Sequence, residues 1–148
     1  LTYTSYIDIA SFFKSISQWF STQGYDFWEN GIGEKDIGTG GCVESDWRAS
    51  KEVTDYVNFE IIIKIWIRDI RKVTLESGEE THWGRIFIKI DAVMHKDYKK
   101  RFNKNKWFEE MYRLIYERYI ASDEVQSYMR KLYFETSDLI NLMRSKMK

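Results

Sequence analysis

Between Asn58 and Ile70 the chain reads NFEIIIKIWIRDI, in which Phe59, Ile61, Ile63, Ile65 and Ile67 fall on alternate positions. That alternation predicts a β-strand from Tyr56 to about Leu75 with these five side chains on one face. The other face carries Glu60, Lys64 and Arg68, as a wet face should, but also Ile62 and Trp66. A second strand is expected where Val43, Trp47 and Ala49 alternate with Glu44, Asp46 and Arg48, followed by Glu52, and a turn near Lys51–Asp55 joins the two. A further strand is predicted over about residues 85–95, with Ile86, Ile88, Ile90, Ala92 and Met94 inward. The polar stretch ESGEETHWG before it reads as a hairpin connection. The stretch YDFWEN suits a short strand, and GIGEKDIGTGG, residues 31–41, reads as a loop or wide hairpin turn.

Elsewhere the period becomes helical. Ile9, Phe12, Phe13, Ile16, Trp19 and Phe20 recur at intervals of three and four, between a candidate N-cap at Asp8 and a stop at Gly24. A helix over about 9–23 follows. Phe108, Met111, Tyr112, Ile115 and Tyr119 mark a second helix. Val125, Tyr128, Met129, Leu132, Leu139, Leu142 and Met143 mark a third over about 123–146, capped by Ser122 and roughly 36 Å long. The expected fold is α+β: an antiparallel meander of about four strands with an N-terminal helix and two C-terminal helices, in one domain over residues 1–148. The odd-numbered face of the central strand is expected to pack on helices. A curved sheet crossed by a long C-terminal helix resembles helix-grip folds, which often enclose apolar ligands; by that analogy Trp19, Trp47, Phe59 and Tyr128 would line a pocket.

Composition narrows the functional classes. A hydrophobic content of 43% with 31% charged residues is that of a folded chain. The net charge is zero, unlike a general nucleic-acid binder, yet residues 1–82 hold 8 basic against 14 acidic groups and residues 83–148 hold 15 against 9. Such halves can neutralise one another within the fold or in a contact between copies. Cys42 is the only cysteine, so the expectation is a reducing, cytoplasmic setting. No apolar run approaches the roughly 20 residues of a membrane span. The chain opens at Leu1, not Met, which leaves an upstream segment open.

The segments DWRASKEVTDYVNFEI, GRIFIKIDAVMHKDYKKRF and YERYIASDEVQSYMRKLYFETSDLINLMRSKMK resemble a group of small archaeal proteins of unknown function. The resemblance runs from Trp47 onward. It rests on Trp47, Ala49 and Lys51 in one strand, Asp97 and Tyr98 after the last strand, and Tyr119 and Ile120 near a helix end. It implies an α+β fold and no particular activity.

Several stretches invite chemistry. The glycines of GIGEKDIGTGG could present backbone N–H groups to a phosphate, but the Gly-Lys-Ser/Thr ending of a P-loop is missing. Cys42 has no histidine near it in sequence to act as a base. Asp91, His95 and Asp97 would share one strand face and could offer a cation one nitrogen and two carboxylates. Lys89 and Lys96 lie beside them, so a solvated strand end is preferred, and no metal, cofactor or catalytic residue is expected. In HKDYKKRFNKNKWF, residues 95–108, the cations Lys96, Lys99, Lys100, Arg101, Lys104 and Lys106 are interleaved with Tyr98, Phe102 and Trp107. Cations with stacking rings suit RNA, single-stranded DNA, an anionic membrane surface or an acidic protein. The simpler reading is a solvated connection.

Ile62 and Trp66 need neighbours on adjoining strands, and Phe87 and Val93 are placed to supply them. Together the four would form an apolar strip rimmed by charges, as at a contact surface. It could be covered by the N-terminal helix, by a second copy of the chain or by a different partner. The expectation is a non-catalytic binding or interaction module that meets an anionic partner through residues 95–108 or dimerises through the strip. A protein holding a small apolar molecule is the alternative.

Overall fold

The computed structural model of the chain describes residues 1–36, 41–96 and 122–147. In chain order the described elements are β1 (Thr2–Ile7), α1 (Ile9–Gln23), β2 (Asp26–Asp36), β3 (Gly41–Glu52), β4 (Val57–Thr74), β5 (Glu80–Lys96) and α2 (Ser122–Ser145). The strands form one sheet in the order β1-β5-β4-β3-β2, antiparallel at every pair. β1 and β2, joined through α1, therefore run parallel at opposite edges.

α1 has the bounds its stripe predicts because both ends are chemically marked. The Asp8 carboxylate accepts from Ser11 N–H at 3.3 Å. Gly24 sits at φ 77°, a left-handed turn that costs glycine no strain, and Tyr25 N–H returns to Phe20 O at 2.9 Å. β4 is the middle strand, and its Val57, Phe59, Ile61, Ile63, Ile65 and Ile67 are buried under both helices. Phe12, Ile16 and Phe20 descend from α1, and Leu132, Leu139 and Met143 from α2. The result is two layers, sheet and helices, with one core between them.

Aromatic rings fill the side of the core nearest β2. Phe20 lies 5.4 Å from Trp19, 5.7 Å from Tyr25 and 5.6 Å from Phe27, centroid to centroid. Trp47 stacks on Phe27 at 5.7 Å and on Phe13 at 6.1 Å. An ion pair, Lys51 with Glu135, enters this layer. Glu135 of α2 is only 8% exposed; its carboxylate accepts from Tyr25 Oη at 2.6 Å and from Lys51 Nζ at 2.9 Å. At the far end of α2, Arg144 Nε donates to Tyr3 Oη at 2.7 Å and Met147 bridges to Ile7.

A bulge in β4 between Arg68 and Arg71 bends the long β4–β5 ribbon. Asp69 takes φ 57° there and binds Arg85. Gly84 sits opposite, where a β-carbon would lie 3.1 Å from Arg68 O and 3.3 Å from Ile67 Cγ2. A side chain at 84 would push the two strands apart.

The fold class is the expected α+β, with helices at both ends, but the sheet has five strands instead of four and the described residues hold two helices instead of three. β1 is the unforeseen strand; it pairs with residues 82–87 of β5, far away in sequence. β5 starts at Glu80, because Thr81 and His82 pair with Val73 and Lys72, so most of the expected polar connection is strand. β2 runs on to Asp36 through a bulge, within the glycine stretch expected to be a loop or wide hairpin turn, and pairs there with β3. The helix expected around Phe108–Tyr119 and glycine-stretch residues 37–40 lie outside the described residues. Met129, expected inward on α2, is 57% exposed. None of the described helices is long and apolar enough to cross a membrane.

Candidate interaction surface

Because side chains alternate along each strand, packing both described helices on one face of the sheet turns the even-numbered residues of β3 and β4 to the other face, which is open among the described residues. Register arranges this face in rows across β3, β4 and β5: Glu44–Trp66–Phe87, Asp46–Lys64–Lys89, Arg48–Ile62–Asp91, Ser50–Glu60–Val93 and Glu52–Asn58–His95. All four residues of the predicted strip are on it. Trp66 and Phe87 are direct cross-strand partners, whereas Ile62 faces Asp91 and reaches Val93 only diagonally. Lys64 and Lys89 separate the Trp66–Phe87 pair from Ile62. The strip is thus two apolar spots with a basic row between them.

Trp66 forms a wall between two grooves. One, about 330 Å³, is lined by Trp66, Arg68 and Phe87, with the Arg68 guanidinium 5.9 Å from the Phe87 ring centre. The other, about 520 Å³, is mixed in polarity and includes Asn30, Gly33, Glu44, Asp46, Lys64 and Trp66 in its lining. Val93, 41% exposed, and Trp28, 46% exposed, extend the apolar area toward the two sides. Trp28 belongs to the Arg48 row, a placement that only the β2–β3 register reveals.

Charges on the face are mostly paired. Lys64 Nζ is 3.9 Å from Asp46, and Lys89 Nζ is 3.2 Å from Asp91. Glu60 is held from both sides: His95 Nε2 lies 2.7 Å from Oε2, and Arg48 Nε donates to Oε1. The hydrogen bond with His95, then that with Arg48, holds the Glu60 carboxyl below its usual pKa. A folded-state pKa below the unfolded one adds stability above the ordinary carboxylate value, and this stability is lost as pH falls through the depressed value. Glu60→Gln is therefore expected to flatten the fall in urea midpoint between about pH 5 and pH 3 relative to wild type. Equal slopes for the two proteins would refute the pairing.

The α1 helix, expected as one cover for Ile62 and Trp66, packs instead on the opposite face, since its own stripe reaches Trp47 and Phe27. Among the described residues nothing packs on the open face. Asp91 and His95 do share this face, but they bind Lys89 and Glu60, and Asp97 is outside the described residues. No cluster of three His, Cys, Asp or Glu side chains suited to a metal occurs among the described residues. Cys42 is buried at the start of β3. Of the basic segment only His95 and Lys96 are described, both exposed at the end of β5; Tyr98, Lys99, Lys100, Arg101, Lys104 and Lys106 lie outside the described residues. Of Trp19, Trp47, Phe59 and Tyr128, expected around a pocket, Trp47 and Phe59 are buried in the core and Trp19 and Tyr128 pack against it, with Trp47 and Trp19 stacked on neighbouring rings. Comparison of the chain with protein-family models, with curated proteins and with solved structures finds no match.

Proposed function

We propose that this chain is a non-catalytic interaction module that binds a protein partner through the open face of its sheet. The observation that carries this reading is the half-buried Trp66–Phe87 pair, flanked by two grooves and ringed by ionised side chains of both signs. An aromatic centre within a charged rim is the anatomy of a protein contact, in which large rings supply most of the affinity and the rim selects the partner. The scattered cations and carboxylates of the face suit a partner surface of mixed charge better than a uniformly anionic one.

A photo-cross-linking phenylalanine analogue in place of Ile62 tests this in living cells. Irradiation is expected to give adducts from position 62 that disappear when Trp66→Glu is added. The same group at Gln18, exposed on α1, serves as the control. Adducts no more abundant from position 62 than from position 18 would overturn the reading.

A further inference from the structure

The charges of the open face form a pattern that fits itself. On β3 the outward residues are Glu44, Asp46, Arg48, Ser50 and Glu52, three acids to one base. On β5 they are Phe87, Lys89, Asp91, Val93 and His95, and in the rows of Asp46 and Arg48 the β5 residue carries the opposite charge. Asp46 shares a row with Lys89, Arg48 with Asp91, and Glu52 with His95. A two-fold axis lying in the contact plane along β4 would exchange the positions of β3 and β5 while keeping every row in place. From this geometry we infer that the occupant of the open face is a second copy of the chain, packed sheet to sheet about that axis. This inference rests on the open face being a protein contact.

In that arrangement Asp46 meets the partner's Lys89, Arg48 meets the partner's Asp91 and Glu52 meets the partner's His95, each contact made twice by symmetry. Along the axis every β4 residue meets its own counterpart. Trp66 lies against the partner's Trp66, and Ile62 against the partner's Ile62, so apolar groups cover apolar groups. Like charges also meet there, Lys64 with Lys64 and Glu60 with Glu60. These are groups with partners in their own chain: Lys64 has Asp46, and Glu60 has the Arg48 guanidinium and a hydrogen bond with His95. An axis running across the strands at the Lys64 row would instead keep β3 over β3 and β5 over β5, stacking Asp46 on the partner's Asp46, Lys89 on the partner's Lys89 and Phe87 on the partner's Asp91.

The area is adequate. Four strands, β2 to β5, at about 4.8 Å spacing and the rows from Asn58 to Arg68 at about 3.4 Å per residue give roughly 19 by 34 Å. That is on the order of 650 Å² a side, within the range of stable interfaces. Aligned sheets pack at about −30°, which displaces the end rows more than the central ones. The Asp46 and Arg48 rows are central, and their long basic partners can follow the offset.

Sedimentation equilibrium of charge-reversed variants tests the arrangement. Wild type is expected to be a dimer. Asp46→Lys and Lys89→Asp alone each place two like-charge contacts in the interface, and each is expected to weaken dimerisation about tenfold or more. An equimolar mixture of the two variants restores both contacts and is expected to dimerise as wild type does. The double variant, carrying both changes in one chain, restores them as well. Asp46 and Lys89 side chains are 48% and 62% exposed, so each variant is expected to fold, and an unchanged far-ultraviolet circular dichroism spectrum with a cooperative melt will show it. A monomeric wild type overturns the inference, as does a mixture that fails to dimerise, which would point to a different axis. Adducts from position 62 to other proteins, with a monomeric wild type, would overturn the self-association alone. Absence of all adducts would overturn the interaction reading too.

Discussion

Phe20→Ala is expected to destabilise the protein by about 4 kcal/mol and to lower its melting temperature by roughly 10 °C or more. Phe20 has no exposed surface and is the hub of the aromatic layer, touching the rings of Trp19, Tyr25 and Phe27. Truncation loses the transfer free energy of the ring and leaves a hole that three other rings, held by the backbone of α1, β2 and the turn between them, cannot all move to fill. A loss of this size takes a large share of the roughly 5–15 kcal/mol that holds an ordinary domain together. Gln18→Ala, on the exposed side of the same helix, is expected to stay within about half a kcal/mol of wild type. Urea denaturation of both variants decides the matter, and a cost below about 1 kcal/mol for Phe20→Ala would mean that the ring cluster is not the core.

The second large effect concerns a charge inside the core. Glu135→Leu is expected to cost about 3 kcal/mol, because Lys51 Nζ, in a side chain only 16% exposed, loses its carboxylate while remaining mostly out of water. Tyr25 Oη loses its acceptor at the same time. Adding Lys51→Met to Glu135→Leu is expected to recover much of that loss, since an apolar pair needs no compensation for desolvation. If the two changes simply add, the ion pair is not an energetic unit. Burial, then the Glu135 carboxylate, raises the pKa of the Tyr25 phenol. A folded-state pKa above the unfolded one gives stability that is complete below the ordinary phenol value and lost as pH rises past it. In the same urea series, Tyr25→Phe should therefore show a shallower loss of stability above about pH 10 than wild type.

Glu135 also shows what a sequence can and cannot reveal. It falls between Leu132 and Leu139 at helical spacing from both, so a carboxylate within an apolar stripe was visible in the sequence. Its partners were not, because Tyr25 and Lys51 are 110 and 84 residues away. α1 was legible to its ends because Asp8 and Gly24 mark them with local chemistry. The two-faced character of β4 was legible because a period of two is a local property, and so was the placement of Ile62, Trp66, Phe87 and Val93 on one face. β1 was missed because TYTSYI is short and polar, and only its partner strand, some 80 residues later, makes it a strand. Trp28 was missed for a related reason: its row depends on a bulge in β2 that no local pattern announces. Local periods identify faces, whereas neighbours across the sheet depend on contacts distant in sequence.

The sheet order has a consequence for how the chain reaches its folded state. β1 is synthesised first, yet its partner is residues 82–87, and the bridge from Ile7 closes on Met147. The hairpins β2–β3, β3–β4 and β4–β5 join strands adjacent in sequence and can form as soon as each turn is made. The first strand must instead wait, with α1 attached, until the fifth has emerged, and the entropy of closing that loop is lost before any contact repays it. A folding transition state is therefore expected in which the β3–β4–β5 meander is already assembled and β1 is still detached. Mutations at Tyr3 or Ile7 would then accelerate unfolding while leaving the refolding rate almost unchanged.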